Sequence, residues 1–282
     1  MTENSGRQCI FCDHPANSYE HIFPDWINKI FPPGKIGPVA SISTQVVIGN
    51  DDATNQKTFP ANKLAQLTAK IVCCCCNGGW MGDMEGRASQ LLPPSLLGHD
   101  ATFDPEEQIF IAAWATKIAM LGETIMEYAD SFTRDDRWLV RKQRRPPLHA
   151  MVYLAIYGGP NIGTAYFRSL GDITKDGVPL TNLYVHTIQI GRLIIQVRGF
   201  PTIPLSQNSS LKQLREARFI EIPIFPPVES CKWPPNFRFD DKALGIYTSG
   251  GKEPPVPPPG IALNLPEPTP QPESTLPESG VP

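Results

Sequence analysis

Two Cys-x-x-Cys pairs, Cys9/Cys12 and Cys73/Cys76, constrain this chain more than any other feature. Two residues between ligands let one tight turn aim both sulfurs at one ion. Two such turns supply the four thiolates that a tetrahedral structural zinc takes at about 2.3 Å. Cys74 and Cys75 then fill the turn of the second pair. The pairings Cys73/Cys75 and Cys74/Cys76 leave one intervening residue and fit less well, while His14, two residues after Cys12, is an alternative donor. A redox or metal sensor built on the 73–76 run is a further reading of the same sulfurs. Residues 1–7 are polar, with no apolar signal core, and no run of about 18 apolar residues occurs, so the expectation is a cytoplasmic chain with no membrane contact. In that compartment seven cysteines favour metal ligation over disulfides, and Cys231, remote in sequence, reads as a lone thiol.

The fold class expected is α+β. Residues 1–95 form a zinc-binding finger, 100–250 an α+β domain of one helix followed by a mostly antiparallel sheet, and 253–282 a Pro/Glu-rich tail. Within the finger, 39–48 is β-prone, 50–55 reads as a turn, 62–71 is ambiguous between strand and helix, and 80–88 reads as helix. The clearest helix is 105–128. Asp104 is placed to cap it, Pro105 takes the first turn and Glu107 completes a capping box. Ile111, Trp114, Ala115, Ile118, Leu121, Gly122 and Ile125 share one face, with Lys117 beside it. Strands are expected at 151–157, 163–169, 183–190, 193–199 and 219–224, with a hairpin turn at 190–193. The tail holds 11 of the 31 prolines and too little apolar surface to offset its ordering entropy, so disorder with a polyproline II run at 254–259 is expected. It also holds four of the 28 acidic residues and none of the 25 basic ones, so what precedes it is near neutral. Any nucleic-acid contact must therefore come from a local patch.

Glu20-His21 lies between the cysteine pairs. A neutral imidazole can take a proton from water near pH 7, and a carboxylate can help hold a hard divalent cation. Adjacent residues on a strand face opposite ways, so Glu20 and His21 can share a site only through a bulge or the Glu20 carbonyl.

The order Cys-x-x-Cys, Glu20-His21-Ile22-x-Pro24, Cys-x-x-Cys-Asn77 resembles the zinc-stabilised branch of the HNH endonucleases. The wider pattern also resembles bacterial proteins described only as HNH-like. It adds Trp26, then Gly79-Trp80-Met81 with Glu85, then a helix with Trp114-Ala115-Thr116-Lys117 ahead of β-strands. The resemblance implies a ββα-metal, treble-clef-like finger with a structural Zn2+ on Cys9, Cys12, Cys73 and Cys76. It implies His21 as general base, with Glu20 and Asn77 helping to hold Mg2+ or another divalent ion; Glu85, on the helix beyond, is a substitute ligand. Three departures stand out. Thr68 occupies a place where such fingers usually carry Asn, Trp80 and Met81 stand where a Lys is frequent, and the loop from His21 to Cys73 is long. The function expected is metal-dependent cleavage of phosphodiester bonds in DNA, with RNA as the other substrate considered. The alternative is a non-catalytic zinc module that binds nucleic acid or a protein. Arg137, Arg141, Lys142, Arg144 and Arg145, with Trp138 among them, are the expected phosphate contacts.

Overall fold

The computed structural model describes residues 7–31, 39–48, 51–60, 68–124, 131–160, 163–175, 178–199 and 221–248; of these, 39–48, 51–60, 169–175 and 178–183 are described by backbone alone. The architecture is α+β. The tail at 253–282 and the final residues of the expected helix at 105–128 lie outside the described residues, as does 61–67.

The finger begins with a short strand, β1 (Ser18–His21), and one helical turn, α1 (Ile27–Ile30). β2 (Val39–Ile48) and β3 (Asp51–Pro60) form a hairpin, and β4 (Thr68–Val72) returns antiparallel to β1. Register pairs Ser18 with Val72, Glu20 with Ala69 and His21 with Thr68. Helical structure then runs almost unbroken through α2 (Cys74–Cys76), a π-turn (Asn77–Met81) and α3 (Gly82–Leu91), with α4 (Pro93–Leu97) close behind. Two local expectations change. The turn expected over 50–55 gives way to strand from Asp51, because ten cross-strand pairs from Val39↔Pro60 to Ile48↔Asp51 outweigh the poor β-propensity of its Asp and Asn. The ambiguous stretch ending at Ile71 is strand where it is described, since its partner β1 completes the ladder.

The body starts with β5 (Ala101–Phe103) and α5 (Pro105–Glu123). The capping box closes as expected: Glu107 N–H donates to Asp104 Oδ1 at 2.8 Å and Asp104 N–H to Glu107 Oε2 at 3.0 Å. From Phe110 on, α5 is buried on every side, Thr116, Lys117 and Glu123 included, so the single apolar face read from the sequence understates its burial. It is the shared centre of the molecule, and one apolar core runs from Cys9 and Phe11 through α5 to Trp233. A second helix, α6 (Arg134–Gln143), follows, capped by a Thr133–Asp136 box.

The strands β6 (Ala150–Tyr157), β7 (Gly163–Lys175), β8 (Val178–Gly191), β9 (Leu193–Gly199) and β10 (Ile222–Phe225) pair antiparallel in the order β10-β6-β9-β8-β7. The β8–β9 hairpin turns at Gly191, whose φ of +60° suits glycine and whose absent side chain leaves room for Phe31 and the Leu96 carbonyl. On the far edge, β2 adds parallel to β7, so the hairpin from the long His21–Cys73 loop extends the body's sheet. β11 (Cys231–Trp233) pairs with β5, β12 (Arg238–Phe239) with β6, and α7 (Asp241–Thr248) ends the described chain. Cys231 is buried there, and burial pushes its thiol up to about 12.

A polar cluster is sealed between α5, α6 and the sheet. Fully buried Glu123 accepts from Arg137 at 2.6 Å and from Ser131 N–H at 2.8 Å, with Arg168 at 3.7 Å. Beside it the Tyr166 hydroxyl sits 2.6 Å from His186 Nδ1. Gly122 makes room: a Cβ there would stand 2.6 Å from the Tyr166 ring.

Candidate metal centre and the adjoining carboxylate site

The two cysteine turns meet. The Sγ atoms of Cys9, Cys12, Cys73 and Cys76 all lie within 4.8 Å of one another, with Cys12–Cys73 at 3.5 Å and Cys12–Cys76 at 3.7 Å. A tetrahedron with 2.3 Å metal–sulfur bonds has edges of about 3.8 Å, so the four residues fit a zinc ion. The backbone builds this knot. Ile10 N–H donates to Ile71 O at 3.0 Å, tying the first turn to the second, and Cys76 N–H donates to Cys73 O and to Cys73 Sγ. Asn17 Oδ1 takes the Cys74 N–H at 2.8 Å. His14 Nδ1 lies 3.6 Å from Cys12 Sγ, at the edge of the knot. Burial raises the Cys9 and Cys76 thiols. It acts on Cys73 too, but the backbone hydrogen bond from Cys76 and hydrogen bonds with Cys12, Cys76 and His14 bring that thiol down to about 6. Cys74 and Cys75 face outward, exposed, with sulfurs 4.0 Å apart.

The knot holds β1 and β4 at the start of the helical run. Asn77, the first residue past the last cysteine, donates its side-chain amide to Ser18 Oγ and to Tyr19 O, both at 2.9 Å, and so pins β1 to the helix. His21, half-buried at the end of β1, makes no side-chain hydrogen bond with a described residue. Register slips between Ser18 and Glu20, but the next two pairs, Glu20↔Ala69 and His21↔Thr68, are consecutive. Regular pairing at those positions sends Glu20 and His21 to opposite faces. Glu20 goes inward and is 7% exposed.

Inside, Glu85 is the focus. Trp26 donates its indole N–H to Glu85 Oε2 at 2.8 Å, Trp114 donates to both carboxylate oxygens at 3.1 Å, and the Lys117 ammonium contacts Oε1. Trp114 and Lys117 are three residues apart on α5 and share a helix face. The Trp-Ala-x-Lys motif is thus a device for bringing an indole N–H and an ammonium to one carboxylate. Burial raises the Glu20 carboxyl to about 7, with Lys117 pulling it down and Glu85 pushing it up. The sequence named Glu20 and Glu85 as ligands but did not assign Trp26 and Trp114; the signal was their place in the same extended motif.

Of these residues, Glu85 as placed does not fit a divalent ion. Both Glu85 oxygens are taken by protein N–H groups and an ammonium already balances the site. The Asn77 amide nitrogen donates to β1, so its Oδ1 is the atom that would meet an ion. Among the described residues, the group of three or more His, Cys, Asp or Glu close enough to share an ion is the four cysteines.

The basic cluster is dispersed by α6 docking on the knot. Arg137 turns inward to Glu123, Arg141 donates to Phe11 O at 3.4 Å, and Arg144 lies 4.8 Å over the Trp80 ring. Arg134 pairs with Asp13. Lys142 and Arg145 are exposed. Trp138, half exposed at 50%, flanks a cleft of about 430 Å³ between α6 and the first cysteine turn. No helix among the described residues is long and apolar enough to cross a membrane. Comparison of the chain with protein-family models, curated proteins and solved structures gave no match.

Proposed function

We propose that the N-terminal segment is an HNH-type finger that hydrolyses phosphodiester bonds in DNA, with a structural zinc on Cys9, Cys12, Cys73 and Cys76 and His21 as general base. The observation that carries this reading is the antiparallel β1–β4 pair running into a helix, clamped by four converging cysteines, with His21 half-buried at the strand end. Zinc, when bound, supplies rigidity: four thiolates on one ion lock the strand pair to the helix. Asn77 holds the Ser18 hydroxyl and the Tyr19 carbonyl, just ahead of His21. The His21 imidazole then takes a proton from water as the water oxygen attacks phosphorus and the bond to the leaving sugar oxygen breaks, that oxygen taking its proton from solvent. Lys142 on the docked helix and Arg145 just past its end are exposed cations that can meet phosphate.

One observation favours the second reading, a zinc module that binds nucleic acid or a protein without cleaving: Glu85, a carboxylate that would help hold a catalytic ion, is already paired with Lys117 and hydrogen-bonded by two indoles. The two separate in a plasmid assay with and without Mg2+ or Mn2+, with wild type beside His21→Ala. Cleavage by wild type and none by a variant of equal zinc content supports the nuclease. Equal zinc and no cleavage by either supports the binding module, and equal cleavage by both removes His21 as the base.

A further inference from the structure

We propose that Lys117 is the resident cation of the finger's carboxylate site, taking the charge role that a divalent ion would have at Glu20 and Glu85 and so keeping such ions out. The inference stands on the packing around Glu85 and does not require the finger to cleave. Lys117 is 1% exposed, and its ammonium contacts Glu85, whose side chain is 18% exposed. A buried ammonium persists only when paired, and this one has a carboxylate at contact and a second, Glu20, close enough to feel its field. Two indole N–H groups complete the Glu85 shell, so neither oxygen is left to bind a metal. Mg2+ and Mn2+ need several oxygen lone pairs around a nearly complete octahedron. An ion brought here would have to strip three donors from Glu85 and would then face the lysine's like charge.

The cation also comes from the other part of the molecule. Lys117 and Trp114 belong to α5, the body's central helix, while Glu85 and Trp26 belong to the finger. The body therefore supplies the charge that an isolated finger of this composition would have to take from solution. The Trp-Ala-x-Lys motif downstream of the cysteines acquires a physical reason: it completes the finger's electrostatics.

The test is Mn2+ binding to the zinc-loaded full chain, read from the electron paramagnetic resonance signal of free Mn2+. Wild type should bind no Mn2+ that Glu85→Gln or Glu20→Gln removes. Lys117→Met should gain about one Mn2+ per chain, and adding Glu85→Gln should abolish that gain. Lys117→Arg should stay closed to Mn2+. Wild-type binding that is lost in Glu85→Gln or Glu20→Gln overturns the proposal, as does a folded, zinc-loaded Lys117→Met that gains nothing. Should Lys117→Met fail to fold, the comparison of wild type with the two glutamine variants decides on its own.

Discussion

The finger contains two clusters of potential anions, and they solve the same electrostatic problem in opposite ways. The cysteine knot brings four sulfurs within 4.8 Å of one another. The carboxylate cluster holds Glu85 against Lys117, with buried Glu20 within reach of the fields of both. The first demands an external cation, because deprotonating four close thiols without one is prohibitive. The second carries its own. The difference shows why proximity of acidic groups is a poor guide to metal binding unless the nearby donors are counted as well. Glu85 and Cys76 sit on the same helical run, yet Glu85 is already paired with Lys117 while the Cys76 sulfur meets the other sulfurs of the knot.

Breaking the knot should have the largest effect. Cys73→Ser should lose zinc and with it the folding energy that the metal supplies, about 10–16 kcal/mol in small zinc domains, seen as zinc-free protein with the finger's protease protection lost. The carboxylate cluster should respond differently, since its cation is covalent. Lys117→Met leaves the partly buried Glu85 without its partner and should cost up to about 3 kcal/mol, read from urea titration, while zinc content holds.

A third variant sharpens the contrast through pH. The Glu20 carboxyl is raised from 4.5 to about 7, so the folded state holds this proton more tightly than the unfolded chain does. Stability from this group therefore falls as pH rises from about 4.5 through 7, reaching a cost of about 3 kcal/mol above that range. Glu20→Gln should recover most of this at pH 8 and almost none at pH 4.5, measured as paired urea titrations. The smallest effect belongs to the docked helix. Arg144→Ala removes a guanidinium from the Trp80 face and should cost about 0.5–1 kcal/mol with no change in zinc.

The knot was legible in sequence because Cys-x-x-Cys spacing is a local geometric constraint that survives any fold. The capping box at Asp104 and Glu107 was legible for the same reason. Long-range pairing was not. Nothing local in 39–60 says that its hairpin joins β7 of the body, which is where the unusual loop length goes. Helix α6 is hidden by its charges: its arginines read as a phosphate patch, although Thr133 followed by Asp136 is a usable capping signal. Docking then turned Arg137, Arg141 and Arg144 toward Glu123, Phe11 O and Trp80. Lys117 was seen beside the apolar face of α5, but its partner lies 32 residues earlier, on another helix, and no periodicity within α5 points to it.

The most direct measurement is the metal content of the purified full chain, followed through removal by a chelator. One zinc per chain is expected, with chelation exposing the buried thiols of Cys9, Cys73 and Cys76 to a thiol reagent and shifting the emission of Trp80, which packs on Phe11 beside the knot. A folded, metal-free protein whose buried thiols stay protected would contradict it.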